Sequence, residues 1–147
     1  MTDIVTGAFG YIGRAISKHL LDAGREVRTV TTHPDKPDPF GGTVPATPFD
    51  FENLDRLEAD LRGAATSYNT YWVRFEYGGM TFRQAVRHTA ALFACARRAG
   101  VQKIVHISVT HASAASRLPY YQGKALQEEA LMTCGVPYAI VSPTLVF

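Results

Sequence analysis

Three times along this chain a helical stretch stops at a glycine and passes at once into a short Val/Ile-rich run: LLDAGREVRTVTT, CARRAGVQKIVHIS and MTCGVPYAIVS. Gly24, Gly100 and Gly135 stand where a left-handed helix cap is expected, because a residue without Cβ enters that conformation at little steric cost. Runs such as Val101–Ser108 and Tyr138–Val141 are apolar with little alternation, as in strands buried on both faces. Ile12, Ala15, Ile16, His19, Leu20 and Ala23 mark one face of a first helix, and Phe82, Val86, Ala90, Phe93 and Ala94 one face of a longer one. Helices alternating with strands imply a parallel sheet with right-handed crossovers. The expected elements are strand 3–6, helix 11–23, strand 26–32, strand 44–49, helix 53–62, strand 66–73, helix 80–99, strand 102–108, helix 119–134 and strand 137–142. The stretch 33–45 carries four prolines and two glycines and reads as a loop.

At 147 residues, with 46% hydrophobic and 19% charged residues, the chain is sized and composed for one soluble domain with a real core. A net charge of +2, spread without a basic run, argues against nucleic acid or an acidic membrane as partner. No apolar stretch approaches the ~18 residues of a membrane span. The N-terminus enters a strand directly, without a targeting signal. Cys95 and Cys134 suggest neither a zinc site nor a disulfide framework. A reduced, cytoplasmic protein is the expectation.

The stretch IVTGAFGYIGRAI follows the first strand and opens the first helix, with Gly7, Gly10 and Gly13 spaced G-x-x-G-x-x-G. Gly7 allows a tight turn, Gly10 lets backbone approach a pyrophosphate, and Gly13 lets the helix pack close to the strand. The helix N-terminus then offers unpaired N–H groups and a positive dipole end to that anion. A dinucleotide site is expected, the alternative being a tight strand–helix turn in an unrelated α/β protein. No acidic residue lies between Thr29 and His33, where one would hold the ribose 2′-hydroxyl of NAD. Arg14, His33 and Lys36 are available for a 2′-phosphate, so NADP is favoured over NAD. Arg14 reads equally well as a solvated first-turn residue. Asp50 is a candidate acceptor for an adenine amino group, or a cap for the helix starting near Asn53.

Together with the glycine turn, the segments KIVHIS, PYYQGKA and GVPYAIVSPTLVF resemble the short-chain dehydrogenase/reductase superfamily, in its extended or atypical branch related to NAD-dependent epimerase/dehydratases. The resemblance spans essentially the whole chain, with the motifs in the family's order. It implies a Rossmann-like doubly wound parallel sheet of about six strands in order 3-2-1-4-5-6. It implies that Gly7, Phe9, Gly10, Tyr11, Ile12, Gly13 and Arg14, with Thr32, His33, Asp50, Asn69, Thr70, Lys124 and Pro143, face the cofactor. Tyr120 and Lys124 match the family's Tyr-x-x-x-Lys, which selects Tyr120 over Tyr121. In such enzymes the tyrosine is general acid or base on a substrate hydroxyl or carbonyl. The lysine lowers the tyrosine's pKa and holds the nicotinamide ribose. Thr110, with Ser108 supporting, is the expected third partner, Ser108 being also an ordinary strand-end hydroxyl. Tyr71 and Trp72 are candidates for the nicotinamide wall or for the core. His106 and His111 flank the site strand and read as structural, with no metal-ligand spacing.

Two departures stand out. Only nine residues separate Thr110 from Tyr120, fewer than in many family enzymes, and Ser142 stands where the branch commonly has arginine before proline. The chain also ends at Phe147, where the resembled enzymes continue into a substrate-binding part. The expectation is thus a cofactor domain over 1–147, truncated at its C-terminus. The leading functional reading is an NAD(P)-dependent oxidoreductase or epimerase acting on a small molecule, a sugar nucleotide being one class. The alternative is a non-catalytic NAD(P)-binding regulator or assembly subunit. By analogy, helices 80–99 and 119–134 would form a homodimer contact.

Overall fold

The computed structural model describes residues 1–144, so Leu145–Phe147 at the end of the C-terminal motif lie outside the described residues. The order of elements is β1 (Thr2–Val5), α1 (Tyr11–Asp22), β2 (Glu26–Thr31), β3 (Ala46–Pro48), α2 (Leu54–Leu61), β4 (Ala64–Asn69), α3 (Phe82–Arg98), β5 (Lys103–Ile107), α4 (Pro119–Thr133) and β6 (Tyr138–Val141). The strands form one parallel sheet in the order β3-β2-β1-β4-β5-β6, as the resemblance implied. Gly24, Gly100 and Gly135 all have positive φ at the helix ends, the conformation read from the repeated helix–glycine–strand pattern.

Alternation along each strand divides the core between the two faces of the sheet. Ile4 and Val30 join Leu57, Leu61, Phe93, Ile104 and Leu131 under α2, α3 and α4. Val5 and Val27 point the other way and pack with Ala8, Phe9, Leu20 and Val44 under α1 and the 33–45 loop. That loop therefore replaces a second helix on α1's face, with Phe40 packed on Phe9 at 6.4 Å between ring centroids. Beneath β1, the carboxylate of Asp3 is fully buried and held by Arg25 through two hydrogen bonds of 2.5 and 2.6 Å.

The fourth strand differs from its expected span of 66–73. It starts at Ala64, directly after Gly63 closes α2 with positive φ, and it ends at Asn69. It stops there because side chains take over the backbone donors. Thr6 Oγ1 accepts from the Thr70 amide and Asn69 Oδ1 from the Tyr71 amide. Once those amides are satisfied locally, the ladder has nothing to continue with. Residues 70–74 consequently leave the sheet and run along the top of the fold, beside the glycine turn.

Candidate functional site

A threonine on β2 and another just past the end of β4 hold the glycine turn in place. Thr29 Oγ1 donates to the Val5 carbonyl and accepts from the Ala8 amide, while Thr70 Oγ1 donates to the Thr6 carbonyl. Within the turn, the Gly10 amide donates to the Gly7 carbonyl at 2.9 Å. A Cβ on Gly13 would lie 2.1 Å from that same Gly7 oxygen, so only glycine lets α1 begin this close to β1. Helix α1 has no side-chain cap and no acidic residue in its first turn. Its leading N–H groups and dipole therefore face the cavity unopposed, which suits a diphosphate.

The cavity above this turn has a volume of about 810 Å³, within the range that buries a cofactor-sized ligand. Of the residues expected to face a cofactor, Gly7, Gly10, Tyr11, Ile12 and Gly13 line it from the turn. Thr32, His33, Thr70, Lys124 and Pro143 line it from the neighbouring strand ends and α4. Four expected residues do not. Phe9 is buried in the core under α1. Arg14 borders an adjacent cleft with Pro39 and Phe40. Asp50 Oδ1 accepts from the amides of Glu52 and Asn53, so it serves the start of α2. Asn69 is fully buried, with its amide nitrogen donating to His106 Nδ1 and its oxygen accepting from Thr6 Oγ1. Phe9, Asp50 and Asn69 depart from the expected role because a nearer protein partner or packing surface claims the side chain, and Arg14 because it stands over the neighbouring cleft.

Tyr120 and Lys124 both line the same cavity, near the start of α4. Pro119 opens this helix at its first position, where a missing N–H costs nothing. Lys124 is only 3% exposed. Its ammonium donates to the Ile107 carbonyl at 3.1 Å and lies 5.0 Å over the Trp72 ring. Burial lowers its pKa to about 8, against a smaller upward pull from Glu128. It thus remains mostly protonated at neutral pH. The Tyr120 phenol does not show the lowered pKa expected of it. Burial raises it, Arg74 pulls it back down, and Tyr121 adds to the rise. The cation acting on Tyr120 is Arg74, while Lys124 is turned to the Ile107 carbonyl and the indole.

The third partner is also rearranged. Ser108 borders the cavity, whereas Thr110 does not. The strand ends at Ile107 and the chain turns sharply, with His111 at φ +64°, so the strand alternation that would have paired the two hydroxyls no longer applies. Ser108 Oγ donates to Glu128 Oε1 at 2.6 Å. His106 lies inside, fully buried, with its ring edge-on to Phe93. Trp72 does form a wall. It stacks on Phe82 at 5.6 Å and meets Tyr120 edge-on at 5.9 Å. A Cβ on Gly123 would come within 2.6 Å of the indole, so that glycine inside Tyr-x-x-x-Lys is what seats Trp72. Arg74, Phe49 and Val109 also line the cavity and were not singled out from sequence. Arg74 carried no local signal, because it follows a strand whose end is set by partners far along the chain.

A model of the NAD(P)H-binding family matches residues 7–146. The chain belongs to that family. Among curated proteins, an uncharacterized protein of Mycobacterium tuberculosis (strain H37Rv) is 26% identical over 143 residues, which is 97% of this chain and 15% of that protein. The triphenylmethane reductase of Citrobacter sp., solved complexed with NADP(H), shares the fold with a TM-score of 0.78 at 20% identity, over 99% of this chain and 50% of that one. A short-chain dehydrogenase/reductase superfamily protein from Agrobacterium tumefaciens, solved with bound NAD, gives 0.77 at 20% identity, over 97% and 48%. A nucleoside-diphosphate-sugar epimerase from Staphylococcus aureus gives 0.76 at 19% identity, over 97% and 50%. The chain thus spans about half the length of these solved relatives. No described helix is long and apolar enough to cross a membrane.

Proposed function

We propose that this chain is the cofactor-binding half of an NAD(P)-dependent oxidoreductase or epimerase that acts on a carbonyl or hydroxyl group of a small molecule. One observation carries the reading: the glycine turn with its uncapped helix and the Tyr120–Lys124 pair open into a single cavity. A nicotinamide cofactor bound there would supply or accept the hydride, and the residues of this chain position the substrate and move the proton. Tyr120 handles the proton at its Oη. The phenol, its pKa raised by burial, donates to a carbonyl oxygen in reduction and takes the same proton back from a hydroxyl in oxidation. Lys124 holds the nicotinamide ribose with the donors left over from Ile107, and Ser108 orients the substrate. A sugar nucleotide is one substrate class open to such a site. Tyr120→Phe removes the proton without removing the ring. NADPH binding, followed by nicotinamide fluorescence, is expected to persist, while turnover across a panel of aldehydes, ketones and quinones drops by about 10²–10⁴-fold. Unchanged turnover would rule out this role for Tyr120, and cofactor binding by a chain that never turns over would point to a regulator.

NADP is the cofactor favoured by the charge at the end of β2. His33 and Lys36 line the cavity there, and no Asp or Glu among the described residues does. Lys36→Ala is expected to weaken NADPH binding about tenfold, through loss of a charge-assisted contact, with little change for NADH. Equal losses for both cofactors, or an initial preference for NADH, would overturn the assignment.

A further inference from the structure

Three side chains bring positive charge to the cavity at neutral pH: Lys36, Lys124 and Arg74. Two already have work under the reading above. Lys36 stands after β2, at the adenosine end, and Lys124 is committed to the Ile107 carbonyl, the Trp72 face and the ribose. Arg74 has none. It follows β4, so β1 and the glycine turn separate it from Lys36 in the sheet order. It is exposed, and among the described residues no carboxylate forms an ion pair with it. Glu76, two residues on, instead accepts from the Phe82 amide at the start of α3. Arg74 nevertheless lies near enough to Tyr120 to act on its phenol.

The structure assigns Arg74 as the residue that receives an anionic group of the substrate, a carboxylate or a phosphate, beside the carbonyl served by Tyr120. This rests on Tyr120 being the proton donor. The surroundings fit an apolar body carrying one anion. Trp72 and Tyr120 line the cavity and meet edge-on, Phe82 and Tyr121 pack against them, and no acid among the described residues lines the cavity to repel the charge. A guanidinium presents a planar fork that matches two oxygens of a carboxylate or phosphate at once, and it is hydrated weakly enough to be covered by a ligand. Held there, the substrate's anion also keeps Arg74 within reach of the phenolate formed after proton donation.

Trp72 is the chain's single tryptophan, so its emission reports on this end of the cavity alone. The test titrates the protein, with and without saturating NADP+, with benzoate, phenyl phosphate and the neutral benzamide. At least one anion is expected to bind at least about tenfold more tightly than benzamide, the scale of a charge-assisted bidentate contact. Arg74→Gln is expected to erase that advantage while benzamide binding stays. Benzoate ahead of phenyl phosphate identifies a carboxylate substrate, and the reverse a phosphate. Anions binding no better than benzamide, or a preference that survives Arg74→Gln, would overturn the assignment. NADP+ titration of both proteins keeps the two ideas apart. An Arg74-dependent anion preference in a chain that binds neither NADP+ nor NAD+ would sink the cofactor reading and leave the anion site standing.

Discussion

Alanine at Gly13 is expected to reduce NADPH affinity at least about 100-fold and to lower the midpoint of urea denaturation. The added Cβ would lie 2.1 Å from the Gly7 oxygen, 2.7 Å from its carbonyl carbon and 3.0 Å from Ala8 Cα. All three are backbone atoms. The Gly7 carbonyl cannot swing away, because it accepts the Gly10 amide that closes the turn. Helix α1 must therefore shift, and its N-terminal donors move off the anion they face. Gly10→Ala is the graded comparison, with its Cβ 3.2 Å from the same oxygen, and should be milder in stability. Binding by Gly13→Ala within about threefold of the parent would show that the close approach is not what orders this site.

Acid should unfold this protein through His106. Its ring is fully buried, and Asn69 fixes its tautomer. Asn69 Oδ1 already accepts from Thr6 and from the Tyr71 amide, so the amide nitrogen must donate to Nδ1, which leaves the proton on Nε2. Nε2 is buried without a partner among the described residues. Burial, assisted by the charge of Lys124, lowers the His106 pKa from 6.5 to about 3. A group depressed in this way contributes stability that is fully present above its unfolded value. That contribution is lost as pH falls from about 6.5 toward the folded value, because the unfolded chain binds the proton first. The loss approaches on the order of 4 kcal/mol near pH 3, a large part of a typical domain's stability. Urea denaturation from neutral to acid pH should therefore show a steeper fall for the parent than for His106→Phe. Parallel profiles would mean that His106 is hydrated and titrates normally.

Much of the architecture was legible from neighbours in the chain. Gly24, Gly100 and Gly135 marked helix ends, and strand and helix periods recovered all ten elements, most within a few residues. The largest shift of boundary was in β4, whose end depends on Thr6, more than sixty residues earlier. The same kind of distant competition reassigned candidate site residues. Asp50 turned back to α2, Asn69 turned inward to His106, and with β5 ending at Ile107 the chain left Ser108 at the cavity and Thr110 outside it.

By itself, the order of residues determined the alternation of strands and helices, the helix ends and the glycine turn, because these follow from φ preferences and from side-chain periods set within a few positions, while the strand order was implied by the resemblance. Only the tertiary structure decided which polar groups face the cavity. Each such group has several acceptors and donors within reach, and the one it takes is supplied by a strand or helix distant in sequence. Lys124 pairs with the Ile107 carbonyl, Ser108 with Glu128, and Arg74 with no acid among the described residues. That last difference leaves an exposed cation beside Tyr120, and nothing within a few residues of position 74 encodes it.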